Sequence, residues 1–324
     1  MSTTPTAKRT QDLARTIEQA ECAQLRQQMD ALARLIPSAD PIVLDLQCGG
    51  VAVLAPTIAS PRFNYATGLE GDSEPTEESI RSIEALYFAH NRPAIIRLQP
   101  GTSRWVFAAL QARGFTLAAF VDVYVRSLSD ISLGEMPPSS AAAAAGVVGD
   151  SANQIIRVTP AITPEDRERF IVACADGFEG GDGSSRERYE TMARITASAR
   201  KTQLYLVWID DCVAGSGAVH YLDLPATGER VAYVELGSIR PQFRSQGVAA
   251  AAARAQLVDA KREGAQWVYA IVKQGNKSAD LCRKLGFRLL HNKPILKKQP
   301  PPRVDQENGK AELRGEKLAL IADL

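Results

Sequence analysis

The N-terminal part of the chain carries a long helical pattern of apolar positions. Between residues 8 and 36, apolar side chains recur at spacings of three, four and eight, at Leu13, Ile17, Leu25, Met29, Leu32 and Leu35. These spacings place them on one face of an α-helix, and Pro37 cannot continue it. The pattern therefore predicts one helix over residues 8–36.

Shorter apolar runs, separated by turn-forming residues, follow up to residue 126. They predict strands at 42–46, 51–54, 63–68, 94–98 and 116–126, with helices at 76–90 and 103–113. Glu77 and Glu78 would lie in the first turn of one helix, where the helix dipole favours carboxylates. Gly114 suits the C-terminal cap of the other helix.

A change of composition separates this part from the second half. Residues 130–153 are rich in Pro, Ser and Ala without an amphipathic period, which indicates a linker, with an isolated Ala-rich helix as the alternative. Beyond them, strands are predicted at 155–158, 204–209, 213–221, 231–239, 267–272 and 287–290, and helices from Pro164 and at 186–199, 248–263 and 277–284. Three successive strands followed by a β-α-β-α-β ending predict a mixed α/β (α+β) fold.

Composition narrows the class of protein. A chain of 324 residues predicts two domains, and a net charge of +1 predicts no nucleic-acid partner. The 5 cysteines and 3 histidines lack the spacing of metal ligands or of a disulfide framework, so neither is expected. No apolar stretch is long enough for a signal peptide or a bilayer span, so we expect a cytoplasmic protein with no membrane partner.

Residues 236–249 carry the clearest chemical pattern. A predicted strand ending at Ile239 leads through a short turn into a helix of small residues. The first turn of such a helix presents N–H groups without intrahelical partners, which together with the helix dipole suit a pyrophosphate. Gly247 and Ala249 would let phosphate oxygens approach the backbone, and Arg244 would add positive charge at the mouth.

Two motifs in the second half resemble those of a known family. Residues 244–249, Arg-Ser-Gln-Gly-Val-Ala, are similar to motif A of the GNAT superfamily of N-acyltransferases, which reads Gln/Arg-x-x-Gly-x-Gly/Ala. Residues 275–287 resemble the motif B helix of that family, which ends in Lys-Leu-Gly-Phe. The resemblance spans residues 154–297. It implies direct transfer of an acyl group to an amine, with acetyl-CoA as the donor and no metal.

The resemblance also implies where the donor binds. The strand before the turn would carry a bulge at Gly237 and separate from the next strand, so that pantetheine enters between them. Backbone groups of Gly237 and Ile239 would contact the thioester and pantetheine. Asn276 would contact pantetheine only with a one-residue shift, because Gly275 stands where the family has its asparagine. The amides expected to bind the pyrophosphate are those of Gln246, Gly247, Ala249 and Ala250.

Candidate acid and base residues are less well marked. Glu235 shares strand parity with Gly237 and is a candidate base, although a solvent-facing glutamate is an equal alternative. His220 on the neighbouring strand is a second candidate, with a surface histidine as the alternative, and an ordered water could replace both. Cys282 stands where the family usually has the tyrosine that acts as general acid. We favour an apolar filler there over an acid.

The first half repeats the order strand, loop, helix, strand, helix, strand. Gly114 and Phe115 correspond to Gly286 and Phe287, but the loop at residues 68–75 carries three acids, which would repel a pyrophosphate. We therefore expect a tandem arrangement in which a degenerate GNAT-like domain supports the second domain, or alternatively shapes the acceptor cleft. The predicted division is an N-terminal helix (1–37), the degenerate domain (38–129), the linker (130–153), the catalytic GNAT domain (154–298) and a tail (299–324), in which 318–321 could add a strand.

The sequence thus predicts an N-acetyltransferase whose acceptor is a primary amine of a small molecule. A non-catalytic module that binds acyl-CoA as a sensor or scaffold is the alternative, because of Cys282 and the degenerate first domain. By analogy with the family, residues 178–183, with Glu179 and Asp182, lie over the acceptor side, and a solvated loop is the plainer interpretation. The oligomeric state is open, and a homodimer is one option.

Overall fold

The computed structural model describes residues 5–69, 75–129, 131, 147–148, 155–179 and 185–302. The helices are α1 (Pro5–Leu35), α2 (Glu77–Ala89), α3 (Arg104–Ala112), α4 (Pro164–Phe178), α5 (Arg186–Ser198), α6 (Val248–Arg262) and α7 (Ser278–Lys284). The strands are β1 (Ile42–Asp45), β2 (Val51–Leu54), β3 (Tyr65–Thr67), β4 (Ala94–Arg97), β5 (Thr116–Ser127), β6 (Val147–Val148), β7 (Ile155–Pro160), β8 (Thr202–Ile209), β9 (Cys212–Leu224), β10 (Glu229–Ile239), β11 (Trp267–Lys273) and β12 (Arg288–Lys298). Short 3-10 turns lie at Pro37–Ala39, Pro61–Phe63 and Pro241–Phe243.

The element types agree with the predicted ones, and one boundary was wrong. The apolar pattern predicts a last strand ending at residue 290, but β12 has 11 residues and continues through Lys293 and Pro294. Lys293 is fully buried there, because its ammonium lies 2.6 Å from carboxylate oxygens of both Glu18 and Glu21 on α1. A buried lysine is tolerated only with such partners, and they lie far away in the sequence.

All the strands described belong to one sheet rather than to two separate ones. The order across this 12-stranded sheet is β1-β2-β3-β4-β12-β5-β11-β10-β9-β8-β7-β6. Most neighbouring pairs are antiparallel, and the pairs β3–β4 and β10–β11 are parallel. Each parallel pair is joined through one helix, α2 or α6, which is the right form of connection for parallel strands.

The two halves exchange their last strands at the centre of this sheet. Strand β12, from the second half, pairs with β4 of the first half, and β5, from the first half, pairs with β11 of the second. Strands β5 and β12 pair with each other between them. The central order β4-β12-β5-β11 is therefore symmetric when the halves are interchanged, which is consistent with two repeated halves.

Helices cover both faces of the sheet, and alternate strand residues contact them. Leu204 and Leu206 pack in a buried cluster with residues of α1, α4 and α5. Their neighbours Tyr205 and Val207 pack with residues of α6 and α7. The period of two in β8 thus assigns α1, α4 and α5 to one face and α6 and α7 to the other. Among the helices of the described residues, none combines the length and hydrophobicity needed to cross a bilayer.

Several predicted features lie outside the described residues. They are most of the linker with its alternative helix, the acids at positions 70, 72 and 74, Asp182, and the tail beyond residue 302 with its alternative strand. The predicted domain boundaries remain predictions.

Candidate active site

A β-bulge interrupts strand β10 where Gly237 predicts one. Glu235 pairs with Ala218 and Ser238 pairs with Ser216, so two residues of β10 oppose one residue of β9. The left-handed backbone conformation falls on Leu236, with φ of 51°, rather than on the glycine. A Cβ added at Gly237 would meet nothing within 4 Å, so this residue faces open space.

Strands β10 and β11 separate beyond this short paired region. Their register joins residues 231–233 to residues 267–269, and no pairing continues toward Ile239. The structure therefore contains the predicted separation of β10 and β11, which opens a passage through the sheet.

A cavity of about 400 Å³ occupies this passage and reaches both faces of the sheet. On one face its wall is formed by small and apolar residues of α6 and α7, among them Ala249, Ala252 and Cys282. On the other face, residues of the first half of the chain line it. The polar residues among them are Gln24, Gln28, Ser60, Arg62, Tyr65 and Arg97.

The start of α6 lies at one end of this cavity and leaves its amides uncapped. Gly247 is the N-cap, with φ of +80°, and no side chain caps the first turn. The side chains of Arg244 and Gln246 bind other backbone carbonyls instead. Arg244 donates to Ile239 and to Gly177 of α4, and Gln246 donates to Gln242. The first-turn N–H groups therefore remain for an anion.

The corresponding helix of the first half is closed to an anion. Thr76 and Ser79 form a reciprocal capping box at the start of α2, so the amides of these two residues already have partners. Glu77 and Glu78 add negative charge in the same turn. A phosphate would meet satisfied donors and like charge here, which supports the prediction that the first half has no cofactor site.

Glu235 is buried rather than solvent-facing, and it is the centre of a hydrogen-bond network. Its side chain is 1% exposed and accepts from His220 at 2.6 Å and Thr196 at 2.9 Å, and from Arg62. Burial alone would raise the pKa of this carboxyl. The charges of Arg62 and His220 and the hydrogen bonds overcome burial and hold the pKa well below its usual range.

His220 is fully buried and is not part of the cavity wall. Its Nδ1 lies 2.8 Å from Thr202 Oγ1, and its Nε2 faces Glu235, so both ring nitrogens are engaged. The surface alternatives for Glu235 and His220 were therefore wrong. Strand parity alone cannot tell a solvent face from a face covered by α1 and α5, and here those helices cover it.

Cys282 and Asn276 both line the cavity from the side of α7. Cys282 packs with Ala279 and Leu285, and burial raises the pKa of its thiol to about 11. Asn276 Oδ1 accepts a hydrogen bond from the amide of Ser278 at 2.9 Å. Ile239 also lines the cavity, whereas the side chains of Arg244, Gln246 and Ala250 do not.

The cavity residues of the first half were not predicted as site residues. Arg62 lies in a 3-10 turn and Arg97 ends β4, and nothing in their local sequence suggests a site. One pattern could have indicated the buried polar wall: Glu18, Glu21, Gln24 and Gln28 are spaced by three and four on α1. This polar row runs beside the apolar face of the helix, and all four side chains are buried.

Comparison with known proteins agrees with this geometry. Residues 167–287 match the family model described as the acetyltransferase (GNAT) family. No curated protein sequence matches the chain. A GCN5-related N-acetyltransferase from Kribbella flavida has a similar structure, with a TM-score of 0.53 and 16% identity over 83% of this chain and 96% of that one.

Two further structures are similar over most of their length. A tandem GNAT protein from the clavulanic acid biosynthesis pathway has a TM-score of 0.51 and 12% identity, over 86% of this chain and 88% of that one. A functionally unknown conserved protein from Staphylococcus epidermidis has a TM-score of 0.53 and 12% identity, over 83% and 98%. Residues 167–287 thus match the GNAT acetyltransferase family, and the fold of the whole chain is similar to that of a tandem GNAT protein.

Proposed function

We propose that the protein transfers an acetyl group from acetyl-CoA to a primary amine of a small molecule. The observation that carries this proposal is the cavity through the sheet. It joins the uncapped start of α6 on one face to a polar wall from the first half of the chain on the other. A donor and an acceptor could thus meet from opposite faces, between β10 and β11.

The donor would bind along β10 and α6. Its pyrophosphate would accept hydrogen bonds from the amides of Gln246, Gly247, Ala249 and Ala250. Its pantetheine would lie between the separated strands, beside the backbone of Gly237 and Ile239 and near Asn276. Support comes from the open space at Gly237 and from the small side chains of α6 along the cavity.

The reaction would proceed by direct attack. The neutral amine forms a bond to the thioester carbon, the carbon–sulfur bond breaks, and the amine proton leaves while the coenzyme A thiolate gains one. Glu235 stays ionised because its pKa is held well below the usual range, so it is a weak base that suits holding and orienting the amine. We assign proton removal to water beside Glu235, and we place His220 behind it as a positioning residue.

The test combines donor binding with turnover. Calorimetric titration of acetyl-CoA measures binding, and coenzyme A release with a panel of small amines, checked by mass spectrometry of the N-acetyl product, measures transfer. We expect micromolar donor binding and turnover with some amines. Donor binding without turnover on any amine would favour the non-catalytic sensor or scaffold, and absence of donor binding would contradict both functions.

A further inference from the structure

Two guanidinium groups in the cavity wall indicate the chemical class of the acceptor. Arg62 and Arg97 come from different elements of the first half, and both line the cavity. We propose that they bind an anionic group of the acceptor, so that the acceptor is a small amine that also carries a carboxylate or a phosphate. This inference rests on the proposed acetyl transfer and names its substrate class.

Arg97 is held in place while most of its donors stay unused. The residue is 8% exposed, and its guanidinium stacks on the ring of Tyr65, 3.7 Å from the centroid. It donates one long hydrogen bond, of 3.4 Å, to Glu21, while its buried Nε has no partner. Buried donors without acceptors are rare and costly in folded proteins. Because Arg97 itself lines the cavity, its guanidinium lies within reach of an anionic ligand bound there.

The carboxylates near Arg97 are already engaged with another cation. Glu18 and Glu21 both bind Lys293, each at 2.6 Å, and neither lines the cavity. Tyr65 also donates to Glu21, at 3.0 Å. Glu21 is therefore shared among several donors and neutralises Arg97 only in part.

Arg62 lies close to the same space. Tyr233, Arg62 and Arg97 line the same cavity, and the charges of both arginines oppose the rise that burial gives the pKa of the Tyr233 phenol. Arg62 forms an ion pair with Glu235 through its Nη2 atom. A guanidinium has five N–H donors in a planar fork, so this ion pair leaves others for an anion.

Charge along the described part of the cavity wall favours an anionic ligand. Arg62, Arg97, Arg188 and Lys273 are its basic residues, and Glu235 is its acidic one. An amine held by Glu235 and an anion held by the arginines would match a small zwitterion such as an amino acid. A cavity of about 400 Å³ suits a ligand of that size beside the end of pantetheine.

Matched pairs of amines test this inference. Initial rates are measured for each common amino acid and for its decarboxylated amine, and for O-phosphoethanolamine and ethanolamine. The proposal predicts that one member with a carboxylate or phosphate has a kcat/KM at least about tenfold above the matching amine that lacks the anionic group. The carboxylate and phosphate arms show which anion is bound. A higher kcat/KM for the amine without the anionic group in every pair would overturn the proposal.

Variants connect the preference to Arg97. Arg97→Gln should raise KM for the preferred anionic amine about tenfold or more and leave KM for acetyl-CoA unchanged. It should have little effect on KM for the matching amine that lacks the anionic group. Arg97→Lys should recover part of the loss, and Arg288→Gln, at an exposed residue of β12, is the control. An equal effect of Arg97→Gln on both members of the pair would contradict the proposal.

A binding measurement keeps this test separate from turnover. With the protein saturated by coenzyme A, N-acetylated amino acids and the matching N-acetyl amines are titrated by calorimetry. Tighter binding of the anionic member, lost in Arg97→Gln, supports the anion site even if transfer is not detected. Equal or weaker binding of the anionic members overturns it, whereas failure of acetyl-CoA to bind bears on the proposed function alone.

Discussion

His220 Nε2 on β9 lies 2.6 Å from Oε1 of Glu235 on the neighbouring strand β10, and both side chains are buried. The same carboxylate accepts from Gln28 of α1 and from Arg62 of the 3-10 turn at Pro61–Phe63. Glu235 therefore connects the bulged strand of the GNAT domain with the first half of the chain, at the wall of the cavity.

Replacing Glu235 by Gln should destabilise the protein, because it removes a buried carboxylate that accepts from several donors and leaves the half-buried Arg62 without its counter-charge. We expect a loss of about 3 kcal/mol in the free energy of unfolding at pH 7, measured by chemical denaturation. The folded pKa of Glu235 lies below the ordinary value of 4.5, so its stabilisation is present above that pH and is lost as pH falls further. The difference between wild type and variant should therefore shrink below about pH 4.5.

The control for this prediction is Glu165→Gln. Glu165 pairs with Arg169 at 2.7 Å, but its side chain is 75% exposed, so a change within about 0.5 kcal/mol is expected. If Glu235→Gln is as mild as the control at pH 7, the network does not stabilise the site.

Lys293→Met should be strongly destabilising, because Glu18 and Glu21 would then face each other without their cation. The expected loss in the free energy of unfolding is about 3–5 kcal/mol. Adding Glu18→Gln should recover part of it, since one uncompensated charge is removed. Lys201→Met is the control, because Lys201 pairs with Asp223 at the surface and its side chain is more than half exposed. A double variant no more stable than Lys293→Met would contradict this arrangement.

His291 should make the protein sensitive to mild acid. Burial and the nearby charge of Lys293 lower its pKa to about 4, against a partly opposing effect of Glu21. The unfolded chain takes up this proton near pH 6.5 and the folded protein does not, so stability is present above pH 6.5 and falls toward pH 4. The loss from this residue is at most about 3 kcal/mol.

Thermal unfolding between pH 7 and pH 4 checks this prediction. His291→Gln should flatten the fall in Tm over that range, and His90→Gln, at an exposed histidine, should leave its slope unchanged. An unchanged slope in His291→Gln would show that other groups govern the acid sensitivity.

Cys282→Ala should leave turnover nearly intact, because the thiol packs among apolar side chains as a filler. We expect kcat within about threefold of wild type and an unchanged pH profile, with Cys212→Ala at the exposed cysteine as control. A fall in kcat of about 100-fold, with loss of the alkaline limb, would instead identify Cys282 as the general acid.

The sequence predicts the elements, the bulge and the uncapped start of α6 well, because these depend on local patterns. The order of strands and helices, the bulge at Gly237 and the small-residue start of α6 all follow from neighbouring residues. The left-handed conformation of Leu236 could not be predicted, since it depends on how β10 packs against β9.

The cavity wall formed by the first half of the chain could not be predicted, because distant residues build it. Arg62 and Arg97 reach the cavity only after the two halves join in one sheet, and Lys293 is buried only because α1 supplies carboxylates. Of the two roles expected for the first half, support of the second domain or shaping of the acceptor cleft, its side chains in the cavity wall favour the second.

Calorimetric titration of acetyl-CoA into Gly247→Glu tests the central claim most directly. A Cβ at Gly247 has room, with its nearest neighbour at 3.7 Å, so the variant should fold at a cost of about 1–2 kcal/mol for a side chain at a φ of +80°. Its carboxylate would stand where the pyrophosphate is expected, and affinity should fall at least about 100-fold. Gly264→Glu, at a residue with the same φ of +80° beyond the other end of α6, controls for backbone strain and added charge and should bind normally. Unchanged affinity in Gly247→Glu would contradict the claim that the start of α6 binds the donor.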